Sequence, residues 1–267
     1  MSVIEKALAR NRAQRAPDDG TARHARGDQV SAAEPQSPRQ FQTVTLDPAV
    51  LERNCVLPQV ADRAVPRAYK ILRTRLLQRL AAKNWRSVAV TSTSPGDGKT
   101  LTTINLAVAL SQDPNTRVCL VDLDLQHPQV AAQLGIKCER GLGEYLVGEA
   151  EAQQVIYSCG SPNLLVIPNT RAFDHSSEML GSTRTLELLR LIETEMPTHI
   201  ILFDMPPLIS DDVLTFAPRV DGVLLVVAEG LTERSSLEKS KELLAEMNVL
   251  GVVLNRSAAH DDEMSYY

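Results

Sequence analysis

One short segment limits the fold of this chain more than any other. It reads Ser87-Val-Ala-Val-Thr-Ser-Thr-Ser-Pro-Gly-Asp-Gly-Lys-Thr100, an apolar strand pattern that passes through a glycine turn into a helix. Gly96 and Gly98 let the backbone approach a phosphate closely, so that successive N–H groups and the positive end of the helix surround it. In the pattern G-x-x-x-x-G-K-[ST], Lys99 reaches the β/γ-phosphates and the Thr100 hydroxyl ligates Mg²⁺. The segment therefore predicts a nucleotide-phosphate site at the end of a buried strand.

Apolar runs and helical patterns alternate along the rest of the chain. Predicted strands cover Ser87–Ser92, Val118–Leu123, Leu164–Pro168, His199–Asp204, Gly222–Ala228 and Leu250–Leu254. Predicted helices cover Pro66–Lys83, Thr100–Ser111, Thr183–Glu195 and Glu233–Met247. Strands without polar alternation are typical of sheets that are covered on both faces. We therefore expect an α/β fold with a doubly wound, mostly parallel sheet and helices on both faces, as in P-loop NTPases of the partition-ATPase type.

Three carboxylates end predicted strands. Asp122 and Asp124 close one strand and, being alternate residues, face the same way; Asp204 closes another. Ligands in such sheets bind at the carboxyl ends of the strands, where carboxylates suit Mg²⁺ and its waters. A single aspartate at such a position could instead cap a helix or belong to a turn. The glycine loop could instead be a chance Gly-Lys-Thr turn that binds no phosphate. Three such acids beside a phosphate loop favour a metal-dependent nucleotide site.

Composition excludes several classes of protein. The formal net charge of −5 argues against a nucleic-acid binder, which is usually basic. No apolar run approaches the roughly 18–20 residues that span a bilayer, and the amino terminus lacks a signal-peptide pattern, so we expect a cytoplasmic chain. The four cysteines show no metal-ligand spacing and predict neither a disulfide framework nor a zinc site: Cys55, Cys119, Cys138 and Cys159.

Three regions are predicted along the chain. Residues 1–60 would hold a short helix and a flexible linker rich in Pro, Gly, Ser and Gln, although composition leaves open whether residues 41–60 are ordered. Residues 61–257 would form the nucleotide-binding domain. Residues 258–267 would form a mobile acidic tail that contains two of the five tyrosines of the chain.

From Pro66 to Asn255 the chain resembles the bacterial tyrosine kinases of capsule and exopolysaccharide biosynthesis, of the CpsD and CapB type. The motifs that carry the resemblance are Thr91-Ser-x-x-Pro-Gly-Asp-Gly-Lys-Thr100, Val121-Asp-x-Asp124, Gly141-Leu-Gly-Glu-Tyr-Leu-Val-Gly-Glu149, Ser177-Glu-Met-Leu180, Asp204-x-Pro-Pro207 and Gly251-Val-Val-Leu-Asn255. The opening Met1-Ser-Val-Ile-Glu-Lys-Ala-Leu8 resembles members linked to exosortase-type exopolysaccharide loci.

The resemblance implies ATP and Mg²⁺ as cofactors and assigns roles to residues. The nucleotide would be held by Pro95, Gly96, Asp97, Gly98, Lys99, Thr100 and Leu101, with Asn255 at the adenine-reading position. The metal would be organised by Thr100, Asp124 and Asp204. Lys99 and Asp122 would be catalytic, with Asp122 orienting or deprotonating the attacking tyrosine hydroxyl, whose pKa near 10 keeps it protonated at neutral pH.

The same resemblance predicts an acceptor and partners. Tyr266 and Tyr267 follow the acidic run Asp261-Asp-Glu263 and would accept phosphate, in trans from a neighbouring subunit; the alternative is a disordered terminus. The expected partners are a transmembrane polysaccharide co-polymerase or adaptor, further copies of the chain and a cognate phosphatase. The adaptor would hold the kinase at the inner membrane.

Several residues depart from these patterns. Thr93 replaces the first glycine of the phosphate loop, Gln126 stands where the family has arginine in Asp-x-Asp-x-Arg, and Met205 replaces a small hydroxyl residue. The family's ring-forming helix carries E-x-x-R-x-x-R, and its positions are Arg67, Lys70 and Arg73 here.

Two other functions remain open on the sequence. One is a nucleotide switch of the partition or division-site type, whose signature lysine would fall at position 94, where this chain has Ser94. The other is a regulatory module that binds nucleotide without transferring phosphate.

Overall fold

Eight strands form one sheet in the computed structural model, which describes residues 41–196 and 198–257. In chain order they are β1 (Gln42–Val44), β2 (Ser87–Ser92), β3 (Val118–Asp122), β4 (Tyr157–Cys159), β5 (Leu164–Ile167), β6 (Ile200–Asp204), β7 (Gly222–Ala228) and β8 (Val249–Asn255). Their order across the sheet is β1-β4-β5-β3-β6-β2-β7-β8. Within the described part of the chain β4 and β5 pair antiparallel and the other neighbours pair parallel.

Nine α-helices connect these strands in the described residues. They are α1 (Pro48–Arg53), α2 (Ala64–Lys83), α3 (Lys99–Ser111), α4 (Val130–Leu134), α5 (Leu142–Leu146), α6 (Ser176–Gly181), α7 (Thr183–Arg190), α8 (Asp211–Phe216) and α9 (Arg234–Leu244). A π-helical turn, Leu191–Glu195, extends α7, and 3₁₀ turns cover Ala152–Gln154 and Ala217–Arg219. Local chemistry sets several ends: Ser182 caps α7, and α2 stops at Asn84 in the left-handed conformation.

Two apolar cores lie on opposite faces of the sheet. One includes Ile104, Leu106 and Leu110 of α3, packed on the face of β2 that presents Val88 and Val90. The other includes Phe203 of β6, whose ring meets Phe216 of α8 edge to face. The central strands are buried along their whole length, as their unbroken apolar runs predict. The prediction of a doubly wound, mostly parallel sheet is confirmed.

The segment 41–60 packs on the sheet. The sequence analysis predicted a short helix and a linker for residues 1–60 and left the order of residues 41–60 open. The structure describes residues 41–60 as part of the same compact unit as the sheet. β1 pairs parallel with β4, and the Val56 side chain is fully buried. The side chain of Asn105, on α3, accepts from Leu57 N and donates to Cys55 O. The segment has little hydrophobic periodicity of its own. Its order depends on contacts with residues that are distant in the sequence, so the sequence pattern does not reveal it.

Some predicted features fall outside the described residues. These are the amino-terminal helix, most of the linker and the tail 258–267 with Tyr266 and Tyr267. Among the helices that are described, none combines the length and the apolar character needed to cross a membrane.

Candidate functional site

The phosphate loop between β2 and α3 is held in shape by Asp97. This buried carboxylate accepts hydrogen bonds from Ser94 N at 2.9 Å, from the Thr93 hydroxyl and from the Thr232 hydroxyl at 3.0 Å. Thr93, which replaces the first glycine, therefore supplies a bond that braces the loop. Asp97 was predicted as a nucleotide-binding residue, and its side chain here binds the loop itself. Thr232 was not predicted because nothing in its local sequence marks it.

The end of β8 contacts the same loop. Asn255 Nδ2 donates to Asp97 O at 2.8 Å, and the Arg256 guanidinium donates to Gly96 O at 2.9 Å. Gly98 has φ +91°, and a Cβ added there would lie 2.1 Å from Asn255 Nδ2. Glycine is therefore required at position 98 both by backbone conformation and by the approach of Asn255. The amide predicted to read adenine also supports the loop.

Lys99 begins α3 and pairs with a carboxylate in the loop that follows the next strand. Its Nζ lies 2.8 Å from Asp124 Oδ2 and 3.2 Å from the Thr100 hydroxyl oxygen. Burial disfavours the ammonium, but the charges of Asp204 and Asp124 outweigh burial and raise the pKa of Lys99. The lysine is thus a fixed cation at the carboxyl end of the sheet.

Asp204 ends β6 in a fully buried position next to this cation. Its Oδ1 accepts from the Thr103 hydroxyl at 3.3 Å, while Oδ2 is buried with no hydrogen-bond partner among the described residues. Burial raises the pKa of Asp204 to about 6, although Lys99 opposes the rise.

These groups suit a hard cation bound together with phosphate. Mg²⁺ takes one or two protein carboxylates and completes its shell with phosphate oxygens and waters. The unpartnered oxygen of Asp204, the Thr100 hydroxyl and Asp124 provide such a set. The described residues contain no group of three or more His, Cys, Asp or Glu side chains that could hold a metal by themselves.

Asp122 lies at the end of β3 and is fully buried. Its Oδ2 accepts from Gln129 N at 3.2 Å and Val130 N at 3.0 Å, and Oδ1 accepts from Asp124 N at 3.3 Å. The carboxylate therefore closes the A′ loop, which we define as residues 123–129, and caps α4. Burial and the nearby charge of Asp204 raise the pKa of Asp122 well above its usual value. Asp122 is both a brace of the loop and a carboxylate with a strong affinity for a proton.

Asp204→Asn should change how stability depends on pH in the nucleotide-free protein. Because the pKa of Asp204 is higher in the folded than in the unfolded state, its protonation stabilises the fold. This contribution to the free energy of unfolding is fully present below about pH 4 and is lost as the pH rises through about 6. At one pKa unit per roughly 1.4 kcal/mol, the loss is at most about 3 kcal/mol. We expect the variant to unfold with a higher free energy at pH 7 and a flatter profile between pH 4 and 6.5, measured by urea denaturation. Equal slopes for wild type, Asp204→Asn and the exposed control Asp211→Asn would contradict the assignment.

A groove of the described domain runs beside the phosphate loop. It encloses about 860 Å³ between α2 and β8, and its wall includes Tyr69, Arg75, Leu101, Asn255 and Arg256. Leu101 and Asn255, both predicted nucleotide ligands, therefore share one cavity next to the loop, away from the buried carboxylates.

Comparison with known families agrees with this geometry. Residues 88–266 match the model of the CobQ/CobB/MinD/ParA nucleotide binding domain, which covers more than half of the chain. The chain belongs to this nucleotide-binding family. Its phosphate loop and strand-end carboxylates lie inside the matched region.

The individual proteins that this chain resembles include tyrosine kinases and a cell division ATPase. Tyrosine-protein kinase YwqD of Bacillus subtilis is 28% identical over 221 residues, which is 81% of this chain and 92% of YwqD. The crystal structure of the VpsO kinase domain superposes with a TM-score of 0.64 at 27% identity, covering 73% of this chain and 97% of that one. The cell division ATPase MinD of Pyrococcus furiosus gives a TM-score of 0.55 at 28% identity over 66% of this chain and 74% of MinD.

Departures from the kinase pattern have identifiable partners within this nucleotide-binding domain. The Gln126 side chain donates to the Ser176 hydroxyl at 2.9 Å. Met205 is fully buried in the core that contains Phe203. Arg73 lies on α2 at one of the three positions that correspond to the family's ring-forming motif. It donates a hydrogen bond to Ala109 O at 2.9 Å, a contact within the same chain.

The motif Gly141–Glu149 has a structural role in the domain. Glu144 accepts from Gly141 N at 2.8 Å and from the Thr170 hydroxyl at 2.9 Å, and it pairs with Arg171 at 2.9 Å. A Cβ on Gly143 would lie 1.9 Å from the Phe173 ring. The motif fixes α5 against the segment that follows β5.

Proposed function

We propose that this chain is an ATP-dependent protein tyrosine kinase that phosphorylates tyrosines of its own sequence. The observation that carries the proposal is the Lys99–Asp124 pair at 2.8 Å beside the unpartnered oxygen of buried Asp204, directly behind the phosphate loop. The relatives named tyrosine-protein kinase supply the reaction class. Phosphoryl transfer depends mostly on positioning and on neutralising charge, so this sparse set of groups suffices.

Each group has a role in this mechanism. The loop amides and Lys99 would hold the β/γ-phosphates of ATP, and the groove beside Asn255 would receive the adenine. Thr100, Asp124 and Asp204 would hold Mg²⁺, which when bound neutralises charge on the phosphate oxygens. Asp122 would accept the proton of the attacking tyrosine hydroxyl, for which its raised pKa suits it.

The hydroxyl groups of the three described tyrosines are already engaged in hydrogen bonds, which favours acceptor tyrosines elsewhere in the chain. Tyr145 donates its hydroxyl proton to Arg184 O at 3.2 Å, and Tyr157 donates to Arg140 O at 2.7 Å. The Tyr69 hydroxyl bonds to side chains of α3, and burial raises its pKa. With these three hydroxyls engaged, Tyr266 and Tyr267 are the acceptors we propose.

The path of the chain from β8 bears on whether transfer occurs between copies. Residues 258–267 can span about 33–36 Å when extended. They leave from a strand whose last residue, Asn255, contacts the phosphate loop, so length permits transfer within one chain as well as between chains. We propose transfer in trans because the kinase resemblance implies it.

The biological setting follows from the same resemblance. We propose that the kinase regulates polymerisation and export of an exopolysaccharide or capsule, bound at the inner membrane to a transmembrane co-polymerase. Other copies of the chain and a cognate phosphatase complete the proposed partners, and no nucleic acid is among them.

Replacing both Tyr266 and Tyr267 with phenylalanine should remove most phosphotyrosine from protein incubated with Mg-ATP, as read by mass spectrometry. Label that persists in this variant would place the acceptor elsewhere, with Tyr69, Tyr145 and Tyr157 left to test.

Mixing tests the direction of transfer. Active chains that carry both phenylalanines are combined with inactive Lys99→Met chains, whose tyrosines are intact. Trans transfer labels the Lys99→Met chains, and an unlabelled partner beside well-labelled wild type would establish transfer within one chain.

The likeness to MinD favours one other function, a nucleotide-dependent switch. Ser94 stands at the position of the signature lysine of the partition and division-site ATPases, and its amide here binds Asp97. Dimerisation driven by ATP with no phosphotyrosine would support the switch. ATP binding with neither dimerisation nor phosphotyrosine would support the third function, a regulatory nucleotide-binding module.

A further inference from the structure

Three polar side chains from distant parts of the sequence form a hydrogen-bonded row beside the A′ loop. Gln126 Nε2, on the loop, donates to Ser176 Oγ at 2.9 Å. Ser176 Oγ, at the start of α6, donates to Asp212 Oδ1 at 2.8 Å in the first turn of α8. Because the single hydroxyl proton of Ser176 goes to Asp212, its lone pair is left to accept from Gln126. Each hydrogen bond of the row is therefore donated in the same direction, from Gln126 on the loop towards the Asp212 carboxylate.

The inner end of this row is buried. Ser176 and Asp212 are each 2% exposed, and Asp212 Oδ2 has no hydrogen-bond partner among the described residues. A buried polar oxygen without a partner typically costs about 1–3 kcal/mol. Its other oxygen accepts from Ser176, and the Ser210 side chain also interacts with the carboxylate. A carboxylate placed here at such a cost indicates a role beyond packing.

The row is one of several ties that fix the A′ loop. Phe173 N donates to Leu125 O at 2.9 Å, from the segment that leads into α6. At the other side of the loop, the Asp122 carboxylate accepts from Gln129 N and Val130 N. Asp124 lies between these ties, two residues from Gln126. Moving Gln126 therefore moves the carboxylate that pairs with Lys99.

We propose that Asp212 is a positioning residue for phosphoryl transfer, acting through Ser176 and Gln126 to fix the A′ loop and with it Asp124. The inference rests on the proposed kinase function. It assigns a purpose to Gln126, the residue that replaces the arginine of the Asp-x-Asp-x-Arg pattern. A carboxylate at the end of the row strengthens the serine bond, since hydrogen bonds to an ionised acceptor are about twice as strong as neutral ones.

A double-mutant cycle tests the row. Gln126→Ala removes the outer donor at the protein surface, and Asp212→Ala removes the inner acceptor. Each single variant should lower the initial rate of tyrosine labelling by about 10-fold at saturating Mg-ATP, with the KM for ATP changed less than about threefold. Because both changes break one row, the double variant should be no slower than the slower single variant. Asp212→Asn keeps an acceptor oxygen for Ser176 and should restore part of the rate.

Gln153→Ala is the matched control, since this exposed glutamine lies on the 3₁₀ turn Ala152–Gln154, outside the A′ loop, and its side chain makes no hydrogen bond to a described residue. It should leave the rate unchanged. Rates that multiply in the double variant would overturn the proposal, as would lower melting temperatures without slower transfer. If Asp212→Ala does not fold, Gln126→Ala and Ser176→Ala form the cycle in its place. If wild type labels no tyrosine, the kinase function fails, and the cycle is read from ATP hydrolysis. Non-additive losses there support the row, and additive or absent losses overturn it.

Discussion

Lys99→Met should lower the initial rate of tyrosine labelling by about 10³-fold, the size expected when a preorganised cation facing a transferring phosphoryl group is removed. In this fold the loss has a second component. Lys99 is the cation paired with Asp124 at 2.8 Å, and it also lies in the field of buried Asp122 and Asp204. Removing it leaves three carboxylates repelling one another where phosphates must bind. Mg-ATP affinity, measured by calorimetry, should fall with the rate.

The matched control is Lys239→Met, which makes the same change at an exposed position on α9. It should label at the wild-type rate. Lys99→Arg retains the positive charge and should keep more nucleotide affinity than Lys99→Met, although its planar head cannot occupy the same point. Wild-type labelling by Lys99→Met would remove Lys99 from the phosphate site.

Asp122→Asn should slow tyrosine transfer by about 10²–10⁴-fold, the usual range for loss of a general base. Mg-ATP affinity should stay within a few-fold of wild type, because Thr100, Asp124 and Asp204 remain. The carboxylate also accepts from Gln129 N and Val130 N, and an amide retains only one acceptor oxygen for these donors. The measurements are single-turnover labelling, Mg-ATP affinity and melting temperature.

The control for the structural part of this change is Asp113→Asn. Asp113 likewise accepts a backbone N–H, from Asn115 at 2.9 Å, but it lies before β3, away from the strand ends. A drop in melting temperature without a change in rate is expected there. If Asp122→Asn abolishes Mg-ATP binding, Asp122 serves the metal, and the roles proposed for Asp122 and Asp124 are shared or exchanged.

The central sheet could be predicted from the sequence because its signals are local. The run at Val118–Asp122 has no polar alternation, and strands with that pattern need cover on both faces. The phosphate loop was equally local, since Gly98 and Lys99 act within a few residues of each other. Lys99, Asp124 and Asp204 meet because the ends of parallel strands share one edge of the sheet.

Contacts between distant residues could not be predicted in this way. The segment around Leu57 is ordered by Asn105, which lies on a helix beyond the first central strand. Asp97 looks like a nucleotide ligand in the motif, yet Thr232 is one of its partners. Each such bond depends on a tertiary neighbour that no spacing in the sequence reveals.

The contact between β8 and the phosphate loop has a thermodynamic consequence. Asn255 and Arg256 each donate a hydrogen bond to a backbone carbonyl of the loop. Because both bonds join the end of β8 to the loop, the conformation of the loop and the position of residues 255–256 are coupled. Such linkage is reciprocal: if these two hydrogen bonds raise the affinity of the loop for nucleotide by some factor, bound nucleotide stabilises the two bonds by the same factor.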